Sequence, residues 1–287
     1  LWEQDRDGFL QRVDRFLAIA DKHKIGVMLV LFDSCWDPEP KLGRQRPPVK
    51  GVHNSGWVQS PGAADLRDPA RHQLLEEYAT GVVRRFRADK RVQVWDVWNE
   101  PDNTNDHSYG PRHLNREPAD KRELVLKLLP RAFAWVRAAD PVQPVTSGLW
   151  LGGHKADPAK LIPIEKVQLD ESDVVTFHTY DKLPGAVAWV DTLKKRGRPV
   201  LCTEYMARPH GSTFDPVLGY FREAKVGAYC WGFVAGKSNT VFAWETWQKP
   251  EASPEPTVWF HDIYRSDGTP FDEKEVAYIR RTTGKGR

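Results

Sequence analysis

The chain has 287 residues, 40% of them hydrophobic and 28% charged, which suffices for one large domain spanning 1–287 around a substantial core. Its 42 basic and 39 acidic residues are interspersed and leave a net charge of +3, so no polybasic arm argues for nucleic acid or an anionic membrane as partner. No stretch approaches the ~18 consecutive apolar residues of a membrane span, and Leu1 opens into a charged segment rather than a signal peptide.

Asp5 to Lys24 reads as a helix, because Phe9, Val13, Phe16, Leu17 and Ala20 fall at i, i+4, i+7, i+8 and i+11 with charges between them. The strand Ile25 to Phe32 follows. Its run from Val27 to Phe32 does not alternate with polar residues, the pattern of a parallel strand covered by helices. Asp33-Ser34-Cys35-Trp36-Asp37 form its C-terminal loop. Residues 37–67 are rich in Pro and Gly, and a loop of that length is either functional or disordered. Trp36 just before it and Trp57 within it either stack on the apolar face of a sugar or simply cover the end of the sheet. Asp68-Pro69 supplies an N-cap and a first-turn proline for a helix through Leu75, Tyr78, Val82 and Phe86.

The stretch Val92 to Pro101 is β-branched and aromatic and ends in Asn99-Glu100-Pro101. Proline stops strand pairing, so Glu100 emerges at a strand mouth. The following loop, Asp102 to Glu117, contains Asn103, Asn105, Asp106, His107 and His113, but no spacing fits a metal-ligand set and a solvated loop is expected. A helix from Ala119 to Ala139 carries Leu124, Leu128, Ala132, Trp135 and Val136 on one face. The strand Pro144 to Trp150 comes next, then Ser172 to Phe177, which closes on His178-Thr179-Tyr180. His178 and Tyr180 are two apart, so both can address one mouth. Helix 184–196 leads to the strand Pro199 to Glu204, and helix 215–225 to the strand Gly227 to Gly232 with Trp231. Trp244 and Trp247 lie in another aromatic loop, and Asp272 to Arg281 is the last helix. Six strands are visible, each followed by a helix or a long loop.

Glu100 and Glu204 each close an apolar strand. Either one alone reads as a strand-end carboxylate paired with a surface lysine or arginine. Two carboxylates after strands buried on both faces need partners or a task. In a barrel of alternating strands and helices, catalytic groups gather at the C-terminal ends of several strands, and two facing carboxylates are what glycoside hydrolysis requires. The three cysteines, Cys35, Cys202 and Cys230, are too scattered for a disulfide framework or a zinc cluster. Strict strand alternation would place Cys202 on the face of Glu204 and Cys230 opposite Trp231, so the two diverge and free thiols are expected.

Trp98-Asn99-Glu100-Pro101, Thr203-Glu204-Tyr205, His178-Thr179-Tyr180 and Trp231 together resemble the retaining glycosidases of clan A, in particular the cellulase-like family five. That resemblance implies an α/β fold of the (β/α)8 TIM-barrel type. It makes Glu100 the acid/base and Glu204 the nucleophile, places Asn99 on the sugar hydroxyl beside the reacting carbon, and floors the subsite with Trp231. His178, Tyr180, Trp36, Trp57, Trp2 and Trp150 complete the expected substrate-binding set. The two glutamates would need different protonation states, Glu100 raised by burial and its carboxylate neighbour, Glu204 held ionised by donors such as Tyr180.

The chain departs from the family pattern in showing six βα units, so the first two strands are expected to be lacking, along with the arginine that the clan carries on the second of them. The implied activity is hydrolysis of β-linked polysaccharide or oligosaccharide of the cellulose, xylan or mannan type, with no cofactor and no metal, in a secreted or periplasmic setting. Two alternatives are a catalytically inactive carbohydrate-binding barrel and, more weakly, a metal-dependent sugar isomerase or hydrolase using Asp33, His178 and Glu204.

Overall fold

The computed structural model describes residues 1–109, 117–152, 158–249 and 254–284, so His113 lies outside the described residues. Helix α1 spans Arg6–Lys22, and its N-cap Asp5 accepts from the Gly8 N–H, which satisfies one of the orphan donors of the first turn. Strand β1, Val27–Asp33, follows. The expected N-cap at Asp68 is present, but it accepts from the Ala70 N–H to start a 3₁₀ turn, Pro69–Arg71. A short helix α2, Ala63–Arg67, precedes that turn, and α3, His72–Phe86, follows it. Strand β2, Val92–Asn99, then pairs with β1 in parallel, with Phe32 opposite Trp98 and Asp33 opposite Asn99.

After β2 come a single turn α4, Asp106–Tyr109, the long α5, Lys121–Ala138, and a two-residue strand β3, Val145–Thr146. The expected strand to Trp150 stops early because side chains take over its backbone partners: Ser147 Oγ donates to Trp98 O at 2.7 Å, and Gln168 Nε2 donates to Gly148 O at 2.6 Å. Helix α6, Pro163–Glu171, was not expected from the sequence. Its inward face is half polar, with Glu165 and Gln168 buried beside Ile164 and Leu169, which hides the apolar period. Strand β4, Val175–Thr179, helix α7, Leu183–Lys194, strand β5, Val200–Tyr205, helix α8, Phe214–Glu223, strand β6, Gly227–Ala228, and helix α9, Glu273–Thr283, complete the order.

All strand pairs are parallel, in the orders β1-β2-β3 and β4-β5-β6. Leu149 joins the two groups by bridging to Phe177, donating its N–H to Thr176 O and accepting from His178 N. The six strands thus form one arc with helices outside, the α/β pattern of a partial barrel. The arc is open between β1 and β6, where Phe16, Ile19, Ile25, Val30 and Tyr229 stay exposed along a groove of about 630 Å³. Two apolar clusters lie between strands and helices. One joins α1, α3 and α5 to β1 and β2 through Leu17, Phe86, Trp95 and Phe133. The other joins α7 and α8 to β4 and β5 through Phe177, Trp189, Val200 and Phe221.

The long segment after β1 is ordered by the late loop it packs on. Asn54 N donates to Ser238 O, and the His53 ring bonds Phe242 O at 2.8 Å. No described helix is long and apolar enough to cross a membrane.

Candidate active site

Glu100 is the first residue beyond β2. Its backbone sits in the left-handed region at φ 44°, a conformation that a non-glycine residue adopts only where its surroundings impose it. That turn aims the carboxylate inward, where it is 8% exposed. Its Oε1 accepts from His178 Nδ1 at 2.6 Å, and its Oε2 accepts from Asn103 Nδ2 at 2.6 Å and from the Cys35 thiol at 3.3 Å.

Glu204 reaches the same space by a different device. Strand β5 pairs Phe177 with Cys202 but His178 with Glu204, so Thr203 is one residue too many. Such a bulge shifts the side-chain alternation beyond it. Cys202 therefore packs on the helix side with Phe177, Val200 and Phe221, and Glu204 faces inward. The expectation that Cys202 and Glu204 share a face is overturned by this extra residue. Cys230 joins the same helix-side cluster, so the two cysteines do not diverge as expected. All three cysteines are free thiols.

The two carboxylates meet around His178. One oxygen of Glu100, one oxygen of Glu204 and His178 Nδ1 all lie within 4.8 Å of one another. Tyr180 donates its hydroxyl to Glu204 Oε2 at 2.7 Å, and His178 Nδ1 is 3.7 Å from that same oxygen. The close approach of the imidazole to the strand before it depends on Gly148, where a Cβ would stand 3.2 Å from His178 Nε2. Asp33, at the end of β1, accepts from Asn99 Nδ2 at 3.1 Å and from Trp57 Nε1 at 2.8 Å, which locks two of the expected binding residues to one carboxylate.

Burial dominates the electrostatics. It pushes Glu204 up to about 7, against the lowering influence of His178 and the Tyr180 hydroxyl and with the help of Glu100. The Tyr180 hydroxyl acts in the expected direction, favouring the ionised form of Glu204, while desolvation is the larger influence. Burial also lifts Asp33 to about 6 and Asp96 to about 7. For His178 burial works the other way, but the charge of Glu204 and the bond and charge of Glu100 overcome it and raise the ring to about 9. The imidazolium is the only cationic group within 4 Å of Glu204 among the described residues.

Asn99, Glu100, His178, Tyr180, Glu204, Trp36, Trp57, Trp150 and Trp231 all line one cavity of about 310 Å³. Within that set, Trp57 is 44% exposed and stands edge-on to Trp231, the arrangement of an open aromatic wall. Trp36 is 5% exposed and stacks on Trp247, so most of its face is spent on packing. Trp150 anchors its ring nitrogen on Asp102 Oδ1 at 2.7 Å.

Trp2 lies elsewhere. It packs edge-on against Phe9 and Tyr78, under Arg6, on the outer helical layer, because α1 begins there and its apolar stripe needs a cover. The cavity also contains residues that sequence reasoning did not single out, among them Asn54, Asp181 and His210. Asn54 and Asp181 sit on loops and His210 ends a 3₁₀ turn, Arg208–His210, with no periodic pattern, and no local signal marks them.

A parallel α/β arc that gathers two buried carboxylates and an aromatic rim at its strand mouths is of the TIM-barrel type. Residues 4–250 match the family described as Cellulase (glycosyl hydrolase family 5), and the chain belongs to that family.

Solved structures agree in fold. An endo-1,4-beta-mannanase from Eisenia fetida is 14% identical with a TM-score of 0.55, the match covering 77% of this chain and 64% of the mannanase. The chain thus spans under two thirds of that protein's length. A mutant xylanase A from P fluorescens subsp. cellulosa, in complex with xylopentaose, is 14% identical with a TM-score of 0.57 and coverages of 96% and 82%. A glycoside hydrolase family 5 mannosidase from Rhizomucor miehei is 14% identical with a TM-score of 0.52 and coverages of 97% and 76%. No curated protein sequence matches the chain.

Proposed function

We propose that residues 1–287 act as one catalytic unit, a retaining β-glycosidase that cleaves β-linked polysaccharide or oligosaccharide by double displacement. The observation that carries this reading is the spacing at His178, where oxygens of Glu100 and Glu204 lie within 4.8 Å of each other. Retaining enzymes hold their two carboxyl groups roughly 5–5.5 Å apart, whereas inverting ones leave about 6.5–9.5 Å for a water.

Glu204, ionised, attacks the anomeric carbon and forms a glycosyl ester; Glu100 gives a proton to the departing oxygen and then takes one from the water that hydrolyses the ester. His178 stands between them and holds a proton against both, so Glu100 has a proton donor at 2.6 Å as its own charge changes. Tyr180 stabilises the ionised form of Glu204 by its hydrogen bond. Trp57 and Trp231 offer aromatic surface for the C–H faces of the sugar. Asn99, fixed by Asp33, presents its amide to a ring hydroxyl.

The fold relatives named as mannanase, xylanase and mannosidase, with the family described as Cellulase, favour a mannan, xylan or glucan backbone. Chromatography of the products from cellulose, xylan, mannan and aryl glycosides tests the proposal: cleavage of at least one β-linked substrate is expected, and an enzyme inert on all of them sinks it.

A further inference from the structure

Behind Glu100 lies a buried ion pair that the chemistry above does not use. Lys121, the first residue of α5, and Glu117 have side chains 1% and 2% exposed and stand 2.9 Å apart. A buried pair of this kind is weak evidence of stability, because the desolvation of two charges offsets most of their attraction. Its connections indicate what it does. Lys121 Nζ donates to Ser34 O at 3.2 Å, to Gln59 Oε1 at 3.0 Å and to Asn103 O at 2.5 Å. Glu117 Oε1 accepts from Asn105 Nδ2 at 2.8 Å and from Gln59 Nε2. Asn105 Nδ2 in turn reaches Ser34 O at 3.1 Å, and its backbone N–H is held by Asn103 Oδ1 at 2.7 Å.

The two backbone carbonyls that Lys121 grips belong to segments carrying the two donors on Glu100 Oε2. Asn103 contributes the amide at 2.6 Å, and Cys35, next to Ser34, contributes the thiol at 3.3 Å. One ammonium thus ties the loop after β1 and the loop after β2 to the start of α5, at the point where both loops meet one carboxylate oxygen. We infer that Lys121 is a positioning residue for the acid/base step, holding Cys35 and Asn103 so that Glu100 presents its carboxyl to the leaving oxygen in a fixed orientation. This inference rests on the assignment of Glu100 as acid/base.

Loss of that orientation weakens proton donation, which is worth roughly 10²–10⁴-fold in rate, more than it weakens attack by Glu204. Poor leaving groups need the proton and good ones do not. The variant Lys121→Met/Glu117→Gln removes both charges and leaves neither partner buried alone. Its kcat/KM is expected to fall at least ~10-fold on the oligosaccharide that the product panel shows to be cleaved, and less than ~3-fold on the dinitrophenyl glycoside of the same sugar. Equal losses on both substrates, or no loss on either, overturn the inference. Glu100→Gln measured alongside separates the two claims: if that variant itself shows no leaving-group dependence, the acid/base assignment fails, whatever Lys121 does. Should the charge-free variant not fold, Gln59→Met removes one contact and keeps the ion pair; a split in the same direction and of smaller size is expected, and its absence overturns the inference.

Discussion

Tyr180 donates to Glu204 Oε2 at 2.7 Å, in a cavity where burial is the main influence that pushes that carboxyl up to about 7. The phenol stabilises the ionised carboxylate only, so it acts against burial. As a nucleophile Glu204 works deprotonated, and kcat/KM is expected to rise as pH increases through about 7. Tyr180→Phe deletes a donor to the charged form, so the rising limb should move to higher pH with the plateau little changed. A pH profile of kcat/KM on a soluble substrate checks this, and an unmoved limb means that another group sets it.

The proposed division of labour predicts opposite leaving-group behaviour for two isosteric changes. Glu204→Gln is expected to lose at least ~10⁴-fold on every substrate, since the amide cannot form the glycosyl ester. Glu100→Gln should keep near-normal glycosylation of aryl glycosides with good leaving groups, and added azide should restore turnover to Glu100→Ala by replacing water without needing a base. Matching losses in the two glutamine variants on all substrates, with no azide rescue, would reverse or remove the roles.

Double displacement also fixes the stereochemistry of the product. Proton NMR recorded in the first minutes of hydrolysis, before mutarotation, should show the β-anomer. First formation of the α-anomer would mean that two carboxylates with oxygens within 4.8 Å admit water in some other way and that the enzyme inverts.

Asp96, in the middle of β2, bears on stability rather than on turnover. Its carboxyl is 2% exposed, accepts from the Trp98 N–H at 3.1 Å, and is pushed from 3.8 to about 7 chiefly by burial. An acid whose folded value is raised favours folding only at pH below its unfolded value, and that contribution is lost as pH climbs through about 7. Asp96→Asn keeps the shape and cannot ionise. It is expected to stabilise the fold by on the order of 2–4 kcal/mol near pH 8 and by little near pH 4, visible as a melting-temperature gain that grows with pH. A gain independent of pH would show that the carboxyl titrates alike in the folded and unfolded states.

Much of the architecture was legible because long apolar periods leave little choice. Phe9 to Ala20 dictated α1, and Val92 to Trp98 dictated β2 with Glu100 at its mouth. The partners of Glu100 were less visible: Cys35 and Asn103 touch it from 65 and 3 residues away, and neither stands out in its own loop. Trp2 misled for a physical reason, since a tryptophan beside a helix start serves a packing stripe as readily as a sugar. Helix α6 escaped notice because Glu165 and Gln168 are buried where leucines would ordinarily betray a helix.

The bulge at Thr203 also makes the site depend on parity. A strand sorts its residues between two sides by odd and even position, and one surplus residue changes which class Glu204 falls into. Removing Thr203 would bring Glu204 directly after the helix-side Cys202, so the strand would alternate regularly, with Cys202 still opposite Phe177 and Glu204 still opposite His178 on the cavity side. The surplus residue is thus what lets a strand that counts Glu204 on the side of Cys202 deliver it to the opposite side, and a single-codon deletion there would remove the irregularity while keeping the carboxylate in the cavity.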